Sequence, residues 1–184
     1  MAVKLKGKQW FTILPPKYFG EREIGKTIST TPESLVGKTI TVSAVELTND
    51  INKYYIKFKF KINSVNSDKA FTQFYGSECM QDYISRMVLH RIRRIDSIQD
   101  LVTSDKVKIC VKGLTIVSKK MKSSIAGKIR QFVSDLIKKQ VEESTLEEFL
   151  QKMLSNELKN KILREGRSIY PIRNFEIRKT EVIQ

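Results

Sequence analysis

The sequence predicts an α+β fold: an antiparallel, barrel-like β-sheet in the N-terminal two-thirds, packed C-terminal helices and a returning C-terminal strand. Three observations predict it. Apolar and polar residues alternate with period two over 54–63, which is typical of a half-buried strand. Apolar residues recur at helical spacing from Ile125 onward. Alternation returns at 175–178, after Pro171, and predicts the closing strand.

A length of 184 residues fits a single domain, which we divide into four consecutive segments. We expect an irregular N-terminal segment over 1–37 and a mainly β segment with one helix over 38–117. A helical segment over 118–165 and a closing extended segment over 166–184 follow. Within the first segment, 10–14 is a candidate short strand that ends at Pro15, because proline lacks the ladder donor.

The second segment begins with alternating apolar residues after Gly37, and the parity of the alternation shifts at Val45. This shift predicts a bulge or a strong twist. The clearest strand follows over 53–65, and 70–75 is predicted as its hairpin partner after a turn at 66–68.

The strand over 53–65 carries an outward row of three lysines, Lys57, Lys59 and Lys61. Like charges repeating every ~7 Å repel one another unless an anion compensates them, so the row is a candidate for following phosphates. The alternative is an edge strand that lysine protects from aggregation.

A helix is predicted to start at Ser77, which would cap it, with apolar residues at helical spacing from Met80 to Val88. Arginines cluster near its end: Arg86, Arg91, Arg93 and Arg94. Cations are favourable at a helix C-terminus, but four arginines with little acid nearby exceed that need. We interpret His90, within the cluster, as an RNA-facing or solvated ring rather than a catalytic base.

A further strand is predicted over 106–117, with Lys108 and Lys112 on its outward face and Cys110 as a small apolar residue. A basic linker follows, formed by Lys119, Lys120 and Lys122. Helices are predicted from Ser123 or Ser124 onward, and the residues from Thr145 to Glu148 match a capping box.

The charge is strongly basic and uneven: 34 Lys and Arg against 20 Asp and Glu give +14. Residues 113–140 hold seven basic and one acidic residue, whereas 141–184 hold eight of each. This pattern predicts a polyanion as partner of the basic part, with the alternative of a surface kept basic for solubility. The neutral 141–184 region is a candidate protein-facing surface.

Composition excludes several classes. No apolar run approaches the ~20 residues of a membrane span, and 9–16 does not resemble a secretory leader, so we expect no membrane partner. Two cysteines predict reduced thiols and a cytoplasmic protein. One histidine leaves little material for a metal centre or a histidine-based catalytic site. We therefore predict no enzyme activity, no cofactor, no metal and no small-molecule substrate.

One motif matches the pattern of a phosphate-binding loop: residues Gly20 to Thr27 read GEREIGKT. The chemistry of such a loop needs a buried strand before it and a helix N-terminus after it. Two prolines precede this motif and Pro32 follows it, while two glutamates lie inside it. We interpret it as a surface loop, with a nucleotide hydrolase that uses Lys26 and Thr27 as the alternative. The aromatic-glycine strand signature of one common RNA-binding fold and the clamp loop of another are both missing.

Several stretches together resemble one family. They read WFTILPPKYF at 10–19, EIGKT at 23–27, KFKFKI at 57–62, RIRRID at 91–96, IYPIR at 169–173 and EIRK at 176–179. In this order and spacing they are similar to the S-three-A-e family of small-subunit ribosomal proteins, in its compact archaeal form. The family has an arginine run after a Tyr-Ile segment, which here is DYI at 82–84, and this run is interrupted here by Leu89 and His90.

The resemblance implies a structural constituent of the small ribosomal subunit, bound to small-subunit rRNA on the platform near the mRNA exit. It also implies neighbouring platform proteins as partners, with mRNA near its exit as a further candidate contact. A free-standing RNA-binding regulator is the alternative. The predicted RNA contacts, mainly to phosphate, are Lys57, Lys59, Lys61, Arg86, Arg91, Arg93, Arg94, Lys108, Lys112, Lys119, Lys120 and Lys122.

Overall fold

The computed structural model describes residues 7–20, 23–118 and 121–183. Two compact units divide the chain: an N-terminal unit, Met1–Ser77, and a C-terminal unit, Glu78–Gln184. Mixed helices and mostly antiparallel strands confirm the predicted α+β class, including the C-terminal helices and the returning strand; the sheet is not closed into a barrel. The single-domain organisation stays a prediction.

Strands dominate the N-terminal unit. They are β1 (Gln9–Leu14), β2 (Gly25–Ser29), β3 (Thr39–Ser43), β4 (Ile56–Asn66) and β5 (Lys69–Cys79), the last of which runs to the end of the unit and two residues beyond. One short helix, α1 (Ala44–Thr48), follows β3. The strand order is β2-β1-β5-β4-β3, and β1 pairs with β5 in parallel.

The core of this unit lies on one face of its strands, because alternate side chains point the same way. Phe11 and Ile13 of β1, Phe58 and Phe60 of β4 and Phe74 of β5 are buried there. The ring of Phe19 packs at 5.1 Å from that of Phe58 and 5.5 Å from that of Phe60, measured between centroids. The opposite face is left open.

The structure corrects two predictions in this unit. The segment 1–37 is not irregular: the candidate strand at 10–14 is confirmed as part of β1, and it pairs antiparallel with β2. The five-residue strand β2, GKTIS, is too short to be recognised in the sequence without its partner strand β1. The parity shift at Val45 is not a bulge but the start of α1, whose Val45 N–H donates to the Ser43 hydroxyl at 3.4 Å.

The C-terminal unit combines a three-stranded meander with helices. Its elements are α2 (Gln81–Met87), β6 (Arg93–Val102), β7 (Lys108–Val117), α3 (Ser123–Glu142), α4 (Leu146–Leu154), α5 (Glu157–Gly166) and β8 (Ile172–Ile183). The antiparallel order is β6-β7-β8. Helix residues Ile129, Val133 and Phe149 share a buried cluster with Val111 and Phe175 of the strands, so the long helices cover one face of the meander.

The predicted helices from residue 123 are confirmed, and α4 carries the expected capping box between Thr145 and Glu148. The helix predicted from Ser77 is shorter than expected: Ser77 is buried within β5, and α2 ends at Met87. Residues from Arg93 onward form β6, which the sequence did not predict. The 38–117 segment therefore holds two short α-helices rather than one.

Candidate nucleic-acid interface

The lysine row on β4 lies where the alternation predicts it. Ile56, Phe58 and Phe60 point into the core, and Lys57, Lys59 and Lys61 point to the opposite, open face. Their Cα partners on β3 are Ser43, Thr41 and Thr39 respectively. Because opposed residues of paired strands share a face, the row is flanked on one side by small hydroxyl residues.

Two further lysines lie on the same open face. Lys26 of β2 and Lys69 of β5 are both Cα partners of Thr12 on β1. Lys61 links this group to the β4 row, because its Nζ lies 5.7 Å from the ring centroid of Tyr75, which points the same way as Lys69 along β5. All five lysines of these strands therefore project from one face.

No acidic residue lies in the N-terminal unit's part of these strands: β1 to β4, and β5 as far as Ser77, contain neither Asp nor Glu. The described acids of this unit up to Ser77 lie in loops, turns and helices, for example Glu46 in α1 and Asp50 after it. Five lysines on strands that contribute no carboxylate of their own concentrate positive potential over this face. We call this surface the cationic face (Lys26, Lys57, Lys59, Lys61 and Lys69).

The second predicted row, on β7, has a different electrostatic setting. Lys112 Nζ donates to Glu181 Oε2 at 2.9 Å, and Lys179 Nζ donates to Glu181 Oε1 at 2.5 Å. The hydrogen bonds from Lys179 and Lys112 lower the pKa of Glu181, and the hydrogen bond to Glu181 raises the pKa of Lys112. Lys108 lies on the same strand and is exposed. The β7 row is therefore partly neutralised within the protein.

Removing this internal acceptor gives a direct test of the neutralisation. We expect Glu181→Gln to raise the affinity for small-subunit rRNA about two- to fivefold at low salt, because both lysines lose their carboxylate partner. Fluorescence anisotropy with labelled rRNA fragments measures the change. Glu142→Gln is the matched control, since it removes an exposed carboxylate that pairs with Lys138 on α3 at 3.9 Å. An equal gain in both variants contradicts a specific role for Glu181.

The four predicted arginines are not gathered at one helix end. Arg86 is exposed in the last turn of α2, and Arg91 lies in the following turn with φ of +65°. Arg93 Nη1 donates to the carbonyl oxygen of Met121 at 2.6 Å. Arg94 Nε donates to both Asp96 carboxylate oxygens, at 3.0 and 3.1 Å. Arg93 therefore bonds a different chain segment and Arg94 pairs with an acid of its own strand, so the structure corrects the predicted arginine-rich helix end.

The basic linker is only partly described. Lys122 is exposed at the N-cap of α3, whereas Lys119 and Lys120 lie outside the described residues. The RNA-contact role of all twelve residues stays a prediction.

Two arginines that sequence reasoning missed occupy bulges on β8. The register with β7 skips Arg173 between Ile172 and Asn174, and skips Arg178 between Ile177 and Lys179. Bulges re-aim side chains, and each arginine lines a cavity beside α2. Arg173 shares a cavity of about 240 Å³ with Arg86, and Arg178 shares one of about 230 Å³ with Lys112 and Lys179. A bulge has no signature in one sequence, so neither position was identifiable beforehand.

The described residues give little support for nucleotide hydrolysis, thiol chemistry or metal binding. Lys26 and Thr27 of the loop-like motif lie within β2, and a single 3-10 turn, Pro32–Leu35, follows instead of a helix. Burial raises the pKa of Cys79 to about 12, which keeps its thiol protonated and unreactive. Within 7–20, 23–118 and 121–183, no group of three acidic, histidine or cysteine side chains is arranged to hold a metal ion. None of the described helices combines the length and apolar character of a bilayer span.

The sequence matches a known protein family over nearly its whole length. The model of the Ribosomal S3Ae family matches residues 2–184. Proteins named small ribosomal subunit protein eS1 are similar over nearly the whole chain. The one from Methanopyrus kandleri is 36% identical, over 98% of this chain and 88% of that protein. The one from Sulfolobus acidocaldarius is 36% identical, over 98% and 92% respectively, and that from Methanoculleus marisnigri is 35% identical, over 97% and 91%.

Proposed function

Because the chain belongs to the ribosomal S3Ae family, we propose that it is a structural protein of the small ribosomal subunit and binds rRNA through its cationic face. The family assignment made from the sequence is confirmed. As a member of this family the chain is a structural component of the cytoplasmic ribosome and not an enzyme.

The cationic face, whose strands contain no acidic residue as far as Ser77, is the observation that carries the RNA-binding proposal. RNA presents a phosphate at every nucleotide, and a lysine row that meets those phosphates gains affinity by releasing condensed counterions. Lys57 and Lys26 have no ion-pair partner within the described ranges, so both ammonium groups are available. Contacts of this kind position a protein on RNA without reading bases.

The bulged arginines form a second proposed contact site, within the C-terminal unit. Neither Arg173 nor Arg178 donates a hydrogen bond to another described residue, although each lies beside further cations. A guanidinium can donate two parallel hydrogen bonds to one phosphate, so the cavity that Arg173 shares with Arg86 is suited to a single backbone phosphate. Glu78 also lines the cavity of Arg178, which makes that cavity less favourable for an anion. Both arginines lie in the 141–184 region of no net charge, so net charge alone does not separate an RNA side from a protein side.

We further propose, from the family resemblance, that the chain lies on the platform of the small subunit near the mRNA exit. Neighbouring platform proteins are its proposed protein partners there, and mRNA is a further candidate contact. The outer faces of α4 and α5, where Glu147 and Glu157 are exposed, are the proposed protein-facing surface.

Sedimentation of native cell extract tests the assembly. We expect the chain to travel almost wholly with small subunits and whole ribosomes, and to leave them only when high salt strips ribosomal proteins. Cross-linking within the purified subunit then identifies which proteins and RNA segments it contacts. A chain found mainly at the top of the gradient, bound to other RNA, supports a free-standing regulator instead.

A further inference from the structure

The cationic face also carries exposed aromatic rings. Trp10 of β1 is 62% exposed, and Phe71 and Tyr75 of β5 are 39% and 37% exposed. Large apolar side chains at this exposure are costly to keep in water, and three on one sheet face call for a partner. The same three rings lie on neighbouring strands, because β1 pairs with β5.

Strand register fixes the relation of the rings to the lysines. Leu14 of β1 is the Cα partner of Phe71, so Trp10, Thr12 and Leu14 share a face with Phe71 and Tyr75. Lys26 on β2 lies on one side of this group and the β4 row lies on the other. Adjacent strands are ~4.8 Å apart, so the rings lie between Lys26 on one side and the β4 lysine row on the other.

One contact shows directly that the rings and cations belong to a single surface. Lys61 Nζ lies 5.7 Å from the Tyr75 ring centroid, within the range of a cation–π interaction. Phe71 and Tyr75 are four positions apart on one strand, which separates them by ~13 Å along it. Rings at this separation can each take a different base of one extended strand.

We propose that this face binds single-stranded RNA, with unpaired bases stacked on Trp10, Phe71 and Tyr75 and the phosphates held by the lysines on either side. The inference rests on the proposed ribosomal function for the source of the RNA. Phosphate contact alone does not need exposed rings, whereas base stacking does, and only unpaired bases offer a free face to a ring. The absence of acids from these strands disfavours a basic or neutral protein surface as the occupant.

The chain's single tryptophan makes the test direct, because Trp10 is the only indole and lies on the face in question. Titration of the full-length protein with a twelve-nucleotide oligouridine is expected to quench the Trp10 emission as a base stacks on it. A twelve-base-pair RNA duplex and inorganic polyphosphate supply phosphates without free bases. We expect both to bind at low salt with little quenching. Equal quenching by all three overturns the proposal.

The affinity of variants that lack one aromatic ring is the second test of the proposal. Phe71→Ala and Tyr75→Ala are each expected to weaken oligouridine binding by about 5- to 150-fold, the range that one lost base stack gives, and to leave duplex affinity within about twofold. If an alanine variant unfolds, Phe71→Leu or Tyr75→Leu replaces it in the binding measurement, because leucine keeps the apolar bulk without the ring. Ile51→Ala is the control, since Ile51 is 78% exposed and lies in a turn outside the strands.

The outcomes separate this inference from the function on which it rests. If the ring variants bind oligouridine normally but no longer sediment with small subunits, the face docks a protein and the proposal is wrong. If they bind oligouridine normally and sediment normally, the rings have no recognition role and the proposal is again wrong. If the unmodified chain does not sediment with small subunits, the ribosomal function is wrong, whatever the oligouridine result.

Discussion

Replacing Lys57, Lys59 and Lys61 together with glutamine is expected to remove about three phosphate contacts from the complex with small-subunit rRNA. Each contact adds ~0.7 to 0.9 to the slope of log affinity against log salt, so three contribute ~2 to 3. Between about 50 and 200 mM salt, the unmodified protein should therefore lose affinity about 20- to 40-fold more than the triple variant does. Anisotropy titrations at four salt concentrations measure both slopes.

The control for this triple variant must remove the same charge elsewhere. Lys128, Lys138 and Lys139 are exposed on α3, and their change to glutamine lowers the net charge by the same amount. If location on the cationic face matters, the α3 variant keeps most of the salt slope. Equal slopes for the two variants mean that only net charge counts, and that result removes the cationic face as a specific site.

The second large effect is expected from Lys159→Met, which leaves a carboxylate without its partner inside the C-terminal unit. Glu176 of β8 is only 7% exposed. It accepts hydrogen bonds from Lys159 Nζ at 2.5 Å and from the Tyr83 hydroxyl at 3.2 Å. Removing one member of a buried ion pair costs 3–5 kcal/mol, and the partial exposure of Lys159 moves the expectation to about 3 kcal/mol. Urea unfolding followed by circular dichroism measures the loss of unfolding free energy.

A double variant distinguishes the stranded charge from simple loss of packing. Lys159→Met combined with Glu176→Met removes both charges, and we expect it to recover at least half of the lost stability, since apolar pairs replace buried ion pairs well. Lys138→Met is the control for an exposed pair, because Lys138 and Glu142 are 3.9 Å apart with side chains 58% and 53% exposed. It should cost less than ~1 kcal/mol. A double variant as unstable as the single one contradicts the account.

The sequence was sufficient where one element determines its own geometry. Alternation alone predicted that Lys57, Lys59 and Lys61 share the outward face of a strand, because the period of two leaves no other arrangement once Phe58 and Phe60 are buried. The capping box at the start of α4 is equally local. In both cases the residues that decide the structure lie within a few positions of one another.

The sequence was insufficient wherever a distant segment determines the pairing or exposure of a residue. Lys112 resembles Lys57 in sequence, but its partner Glu181 lies 69 positions away and comes close only through the pairing of β7 with β8. Arg93 and Arg94 continue a helical pattern, yet ten residues from Arg93 pair with β7 and form β6. On β5, aromatic residues occur on both faces, so only the packing of Phe74 and the contact of Tyr75 with Lys61 show which rings are exposed.

The lack of acids in the N-terminal strands also governs the protein before it is assembled. The like charges of this face repel one another in a free copy, and a bound polyanion relieves that repulsion. Since a ligand that binds the folded state stabilises it by mass action, RNA binding and folding stability are coupled here. We expect surplus copies to unfold more often than assembled ones and to be cleared by proteases first. The amount of this protein in a cell would then follow the amount of its RNA.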